Sequence, residues 1–287
     1  MKSYNDDFSR KAHYKKKASG AISYIIKLAI GLLMISPLLI GFVFSFVPNE
    51  YLENVPTLQQ VKDNLTIENY EFVMNYVPIF RYLLNTFINC LIIVVSQIVL
   101  ACMAAYAFAF FEFKGKTFIF NAILAAMMIP AEVTVIANYL TAQSWGLINT
   151  HFGLALTFLI GGQSIYMMRQ CFLQIPREIR EATIVDGCGN LRFLIQMAIP
   201  MSIPSISSLA IYQFIGAFNH YFWPMLIAQK KEMQTIQIGM AMLRGTENQE
   251  YGTILAGAML CILIPAVVFI IGQDYIIKGM TDGAVKG

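Results

Sequence analysis

The sequence predicts an all-α, polytopic membrane protein with six transmembrane helices, and three observations carry that prediction. Hydrophobic residues make up 57% of the 287-residue chain and charged residues only 13%, with a mean hydropathy of +0.60. Soluble domains carry about a quarter charged residues. The apolar residues gather into runs at about 22–47, 82–111, 117–140, 152–172, 203–228 and 253–272, each with the roughly 20 residues a helix needs to cross a bilayer. The basic residues, finally, are divided unevenly among the segments that join these runs. Such a composition excludes a soluble globule, and its apolar content excludes a disordered chain. Six spans leave no room for a soluble catalytic domain of ordinary size.

The first run follows a basic tail, residues 1–21, that holds Lys2, Arg10, Lys11, Lys15, Lys16 and Lys17. Its apolar part exceeds the roughly 7–15 residues of a signal-peptide core and no small-residue cleavage site follows, so it reads as a retained anchor helix with Lys27 snorkelling. Basic loops stay on the cytoplasmic side of a bacterial membrane. With the N-terminus inside, the inner segments, with Arg169 at the inner end of the fourth run, hold 14 of the 20 basic residues, whereas the outer ones hold five: Lys62, Arg81, Lys230, Lys231 and Arg244. Both the tail and the C-terminal segment 273–287 are therefore expected in the cytoplasm. Segments 48–81 and 229–252 fall outside and are long enough to touch a partner, while 112–116 is a tight inner turn. Residues 22–272 form the membrane domain of this scheme.

Little in the sequence suggests covalent chemistry. Cys90, Cys102 and Cys261 sit in apolar runs and Cys171 and Cys188 near a basic loop, so they read as small hydrophobes or reduced thiols. His13, His151 and His220 lack metal spacing. Gly115-Lys116-Thr117 resembles the end of a phosphate-binding loop, but Phe110 stands where that motif needs glycine. Leu159 to Gln163 resembles an ATPase signature inside an apolar span, and Asn64-Leu65-Thr66 is a formal glycosylation sequon. Gly161 and Gly162 are expected to permit close helix packing. Pro200, Pro204, Pro224 and Pro265 would allow kinks. Polar residues inside spans are costly and often line a pathway. They are Gln97, Glu132 and the group Asn219, His220, Tyr221 and Trp223 beside Pro224. That group offers amide, hydroxyl and aromatic surfaces suited to a sugar, and it equally fits an interfacial aromatic belt.

The inner segment 173–202 is polar yet patterned. Pro176 starts a helix, Glu178 and Glu181 suit its positive end, and Gly187 and Gly189 stop it. Ile179, Ala182, Val185 and Asp186 share one face, giving a short amphipathic helix that could lie on lipid or receive a protein. Glu181-Ala182-Thr183, three residues, Gly187, nine residues and then Met197-Ala198-Ile199-Pro200 keep the spacing of the EAA loop. On that pattern the chain resembles permeases of binding-protein-dependent ABC importers. Residues 104–115, 217–227 and 278–287 resemble the second, six-span subunit of the maltose-type sugar permeases.

The resemblance implies a type I ABC importer permease fold with a cytoplasmic coupling helix in the bacterial cytoplasmic membrane. Glu181, Ala182, Thr183, Asp186 and Gly187 would dock in a cleft of a cytoplasmic ATPase dimer, Glu181 pairing with its basic groups. Gly283, Val285 and Lys286 of the tail would approach the same ATPase, and loop 229–252 an extracytoplasmic solute-binding protein. A second, homologous permease would complete the pore and make most of the contacts to the sugar. No cofactor is expected on this chain, ATP being bound by the partner, and no nucleic acid. Glycerol phosphate or another polyol is the alternative substrate. A secondary transporter would need internal repeats, and none is visible.

Overall fold

The computed structural model describes residues 2–54, 56–245 and 250–282, with side chains placed for 23–54, 56–245 and 250–273. The described residues are helical throughout, without strands, which satisfies backbone groups inside each segment as an apolar solvent demands. The principal helices are α1 (Lys2–Phe44), α2 (Ile79–Phe110), α3 (Lys116–Ala126), α4 (Ala131–Ser144), α5 (Gly162–Phe172), α6 (Arg177–Val185), α7 (Ile203–Phe218), α8 (Ile236–Arg244) and α9 (Tyr251–Asp282). Two compact units are distinguished, one from Met1–Phe72 with Glu250–Met259 and the other from Val73–Gln249 with Leu260–Gly287.

Residues Ser23–Phe44 of α1, α2, and Tyr251–Gln273 of α9 are each long and apolar enough to span a membrane. Large apolar side chains such as Leu33, Met34, Ile270 and Ile271 are exposed along them, the signature of a helix that meets lipid rather than a protein core. The expected spans at 117–140, 152–172 and 203–228 are interrupted instead of continuous. Helices α3 and α4 meet at 96°, because Pro130 cannot donate to the ladder and holds extended backbone (ψ 134°) at the start of α4. Region 152–172 is a short helix His151–Ala155, one 3₁₀ turn at Leu156–Phe158, a break, and then α5. Asn219–Tyr221 separates α7 from a short helix Phe222–Ile227. Counting each bent pair as one crossing, the described residues give up to five spans by length and composition.

Glycines explain the break before α5. A Cβ on Gly161 would lie 3.0 Å from Gln97 Oε1, and one on Gly162 would lie 2.7 Å from Met127 Cγ. At Gly162 the chain passes its neighbour too closely for a side chain, and at Gly161 one would fit only if the Gln97 amide gave by a few tenths of an ångström, the close packing expected of these two positions. All five cysteines are free thiols.

In the first unit, Asn69 is buried and its amide donates to Ser45 O and Val47 O at 3.0 and 2.8 Å, satisfying carbonyls left over at the end of α1. Asn49 Oδ1 accepts from Gly252 N at 2.8 Å and so caps α9. A Cβ on Gly252 would fall 2.5 Å from Asn69 Nδ2 and 2.8 Å from Val47 O. Gly252→Ala is therefore expected to cost about 1–3 kcal/mol by overpacking, read as a lower Tm of the detergent-solubilised chain; an unchanged Tm would mean that this joint is slack.

Candidate functional site

The segment after α5 is built by local chemistry into a rigid projection. Pro176 (φ −57°, ψ 137°) precedes α6, where a missing N–H costs nothing. At the other end Gly187 adopts φ +71°, the left-handed conformation that terminates helices. Cys188 N donates to Thr183 O at 2.9 Å and Gly187 N to Ile184 O at 3.0 Å. These are the two reverse bonds of a Schellman motif, and they satisfy carbonyls that the helix leaves open.

The seating of α6 differs from the face read in the sequence. Ile179 and Cys188 pack against the buried cluster that includes Phe172, Ile175 and Phe193, and Thr183 is half-buried with its hydroxyl donating to Arg180 O at 2.8 Å. Glu181, Ala182, Ile184, Asp186 and Gly187 are exposed, and Val185 is 87% exposed. Thus the inward face is Ile179 and Thr183, one turn apart. Ala182, Val185 and Asp186 lie outside it, beside Glu181. Four of the five expected contact residues are free to meet a partner, and Thr183 serves the interior.

Arg180, half-buried, is tied to the chain beyond the turn. Its guanidinium lies 4.7 Å from the Phe193 ring centre and donates to Asn190 Oδ1, so it staples α6 to the chain beyond the turn. Beneath, Phe193 meets Phe110 edge-on at 5.4 Å and Tyr106 at 6.2 Å, which seats the projection on the end of α2. Further on, Leu194–Ala198 forms a π turn. Pro200 follows after Ile199, and its ring is incompatible with a regular ladder there. Asn190–Met201 and α7 then bend by 78° between Pro200 and Pro204, as the prolines foretold.

A second feature is a cavity of about 420 Å³ between α4, the turn at Thr157 and Phe158, and residues 219–223. It brings together all four residues of the expected pathway group, Asn219, His220, Tyr221 and Trp223, with Glu132, Thr134 and Asn138. The break after α7 buries Trp223 and half-buries His220, while Asn219 and Tyr221 stay exposed. His220 stacks on Phe158 with ring centres 3.7 Å apart, and its Nδ1 has no hydrogen-bond partner among the described residues. Asn219 donates to Ile215 O at 2.8 Å. Trp223 is buried and donates from Nε1 to Gly153 O at 3.0 Å, so its ring is a fixed wall. The lining carries one carboxylate and neither lysine nor arginine.

Sequence reading missed two further arrangements, because each depends on residues distant in the chain. Asn85 donates to Glu232 O and Gln234 O at 2.8 and 2.9 Å, while Ile236 N donates to Thr86 Oγ1 at 2.9 Å. Together they tie the loop before α8 to α2 and leave Lys230, Lys231 and Glu232 exposed. Gln97, noted only as a polar residue in an apolar run, belongs to a buried set with Ser164 and Gln213. The periodic polar stripe Tyr82, Asn85, Thr86, Asn89 and Gln97 on α2 was the signal available for both. Gly283, Val285 and Lys286 lie outside the described residues.

The chain is similar to known proteins over most of its length. The family model of the binding-protein-dependent transport system inner membrane component matches residues 97–282, a range that takes in the projection and the cavity. The chain is 29% identical over 278 residues to the arabinooligosaccharides transport system permease protein AraQ of Halalkalibacterium halodurans, covering 95% of this chain and 100% of that one. It is 29% identical over 279 residues to the sn-glycerol-3-phosphate transport system permease protein UgpE of Brucella melitensis, covering 93% and 98%. Among solved structures, a chain of a bacterial ABC transporter involved in the import of the acidic polysaccharide alginate superposes with a TM-score of 0.73 at 19% identity, over 90% of this chain and 96% of that one. The last likeness establishes a shared fold.

Proposed function

The chain belongs to the binding-protein-dependent transport system inner membrane components, and from that premise we propose that it is the permease subunit of an ATP-driven importer for an oligosaccharide. The observation that carries the substrate class is the cavity lining: aromatic faces at Phe158, Tyr221 and Trp223, amides at Asn138 and Asn219, hydroxyls at Thr134 and Thr157, the imidazole of His220, and neither lysine nor arginine. Apolar sugar faces stack on aromatic rings while hydroxyls exchange hydrogen bonds with neutral polar groups. A phosphorylated substrate would instead bring its negative charge toward Glu132, a repulsion that grows as water is excluded.

The exposed side of α6 supports docking of a cytoplasmic ATPase dimer. Glu181 would pair with basic groups there, and Ala182 and Gly187 would permit close approach. The excess of basic residues on one set of segments, 14 against five, supports cytoplasmic termini. Segment 229–252, of which Lys230, Lys231 and Glu232 are exposed, would contact an extracytoplasmic binding protein, a second permease would complete the pore, and Gly283, Val285 and Lys286 would contribute to the ATPase contact. ATP binding by the partner draws the coupling helices together, and the packed helices carry that motion to the outer gate. This chain itself only opens and closes the path.

Deleting the chain from its host and measuring uptake of labelled substrates tests the reading. Uptake of a neutral oligosaccharide should be lost on deletion and return on complementation, with glycerol phosphate uptake unchanged. Loss of glycerol phosphate uptake alone would transfer the assignment to the phosphorylated polyol.

A further inference from the structure

Gln97 lies on α2 and is only 5% exposed, and each end of its amide is engaged. Nε2 donates to the carbonyl of Phe158 at 2.8 Å, and Oε1 accepts from the Ser164 hydroxyl. Gln213 of α7 donates in turn to Ser164 Oγ at 2.7 Å. Three helices are joined by side chains with complementary donors and acceptors, in a part of the molecule where an unmade hydrogen bond is costly. Phe158 is a cavity residue, stacked on His220. Its carbonyl lies at the break that precedes α5, so Gln97 satisfies a group that the interrupted ladder leaves open. Ser164 stands in the first turn of α5.

From that turn α5 runs about 16 Å to Phe172. Two reverse turns, Gln174 N to Cys171 O at 3.0 Å and Ile175 N to Phe172 O at 3.2 Å, then lead into Pro176 and α6. Phe172 and Ile175 are buried in the cluster under α6, so this link has no slack. Nothing covalent holds the cavity wall to α5 except residues 159–161, which are not helical. The side chain of Gln97 spans that gap.

We propose that Gln97 is a positioning residue that makes the cavity wall at Phe158 and the head of α5 at Ser164 move as one body, so that the sugar-facing wall and the coupling helix change position together. This rests on the transport reading above. Without the tie, α6 can follow the ATPase while the wall lags, and ATP is hydrolysed without a completed transport cycle.

The test uses the complete importer, purified with its ATPase and second permease and reconstituted in proteoliposomes with the loaded binding protein. Sugar uptake and ATP hydrolysis are measured in parallel. In the triple variant Gln97→Leu, Ser164→Ala, Gln213→Leu, the interacting polar side chains are removed together, which preserves stability better than removing one partner. The Phe158 carbonyl loses its partner, so Tm should fall modestly while the complex still assembles and sugar moved per ATP falls by about tenfold. A native ratio in the assembled triple variant overturns the proposal. If the triple variant fails to assemble, Ser164→Ala, which removes one buried hydroxyl without adding bulk, decides in its place: a reduced ratio supports the tie and a native ratio overturns it. Failure of the native importer to move any oligosaccharide would refute the transport reading itself, a result distinct from both.

Discussion

Substituting valine for Gly187 is expected to abolish ATP-driven uptake while leaving the chain inserted in its membrane. The residue holds φ +71°, and a Cβ there would have nothing within 4 Å. The penalty is therefore one of backbone conformation and not of clash inside the chain. An ordinary L residue pays about 1–2 kcal/mol for the left-handed region, and a β-branched one more. Reverting to a common conformation releases the bonds from Cys188 N and Gly187 N. A helix of nine residues has no stability of its own to resist that. Each 1.4 kcal/mol is tenfold, so Gly187→Ala should weaken ATPase docking by about tenfold and Gly187→Val by more.

Gly187→Asn separates conformation from contact, because asparagine tolerates the left-handed region. If the turn alone matters, the asparagine variant should keep most of its substrate-stimulated ATP hydrolysis and co-purify with the ATPase. If close approach of the partner matters as well, asparagine should fail along with valine. Normal stimulated hydrolysis by the valine variant would sink the coupling-helix assignment.

The position of this turn was legible in the sequence because its chemistry is local: a proline before the helix, acids near its start and a glycine at its end act within a few residues. The face presented was not. Spacing put Val185 with Ile179, but the chain after Gly187 folds back through Arg180 and Asn190 and claims Ile179 and Thr183 for the interior. Apolar runs marked where α1, α2 and α9 cross, since lipid contact requires only length and apolarity. The same runs hid the breaks at Pro130, Gly161 and Asn219, because a window of hydropathy is blind to one residue that interrupts the ladder. At those breaks the sequence did supply the polar residues, Gln97 and the 219–223 group. What it could not supply was their partners, 61 and 67 residues away for Gln97.

The other large effect is expected at Gly153, which fixes the cavity wall without lining it. Gly153 N donates to Thr150 Oγ1 at 3.0 Å, Thr150 Oγ1 donates to Leu147 O at 2.7 Å, and Gly153 O receives the Trp223 indole. An added Cβ would fall inside the van der Waals radius of the Leu147 carbonyl oxygen. That atom belongs to the backbone and cannot rotate away, so Gly153→Ala must displace the 147–153 turn or the short helix that follows. The cost should reach about 3 kcal/mol, the upper part of the usual range for overpacking. Moving Gly153 O also strands the buried indole N–H, which adds about 1–3 kcal/mol. The consequence can be read directly, since the chain has two tryptophans and Trp145 is exposed. In a Trp145→Phe background the emission of Trp223 should shift to the red on Gly153→Ala as water reaches the ring, Tm should fall, and sugar uptake should drop with the loss of the cavity wall. Trp223→Phe, which removes the hydrogen bond but leaves the aromatic bulk, should cost only about 1 kcal/mol and retain most uptake. Native emission and an unchanged Tm for Gly153→Ala would show that the turn yields, and that the wall owes its position to the packing of Trp223 against Leu154 and Ile227.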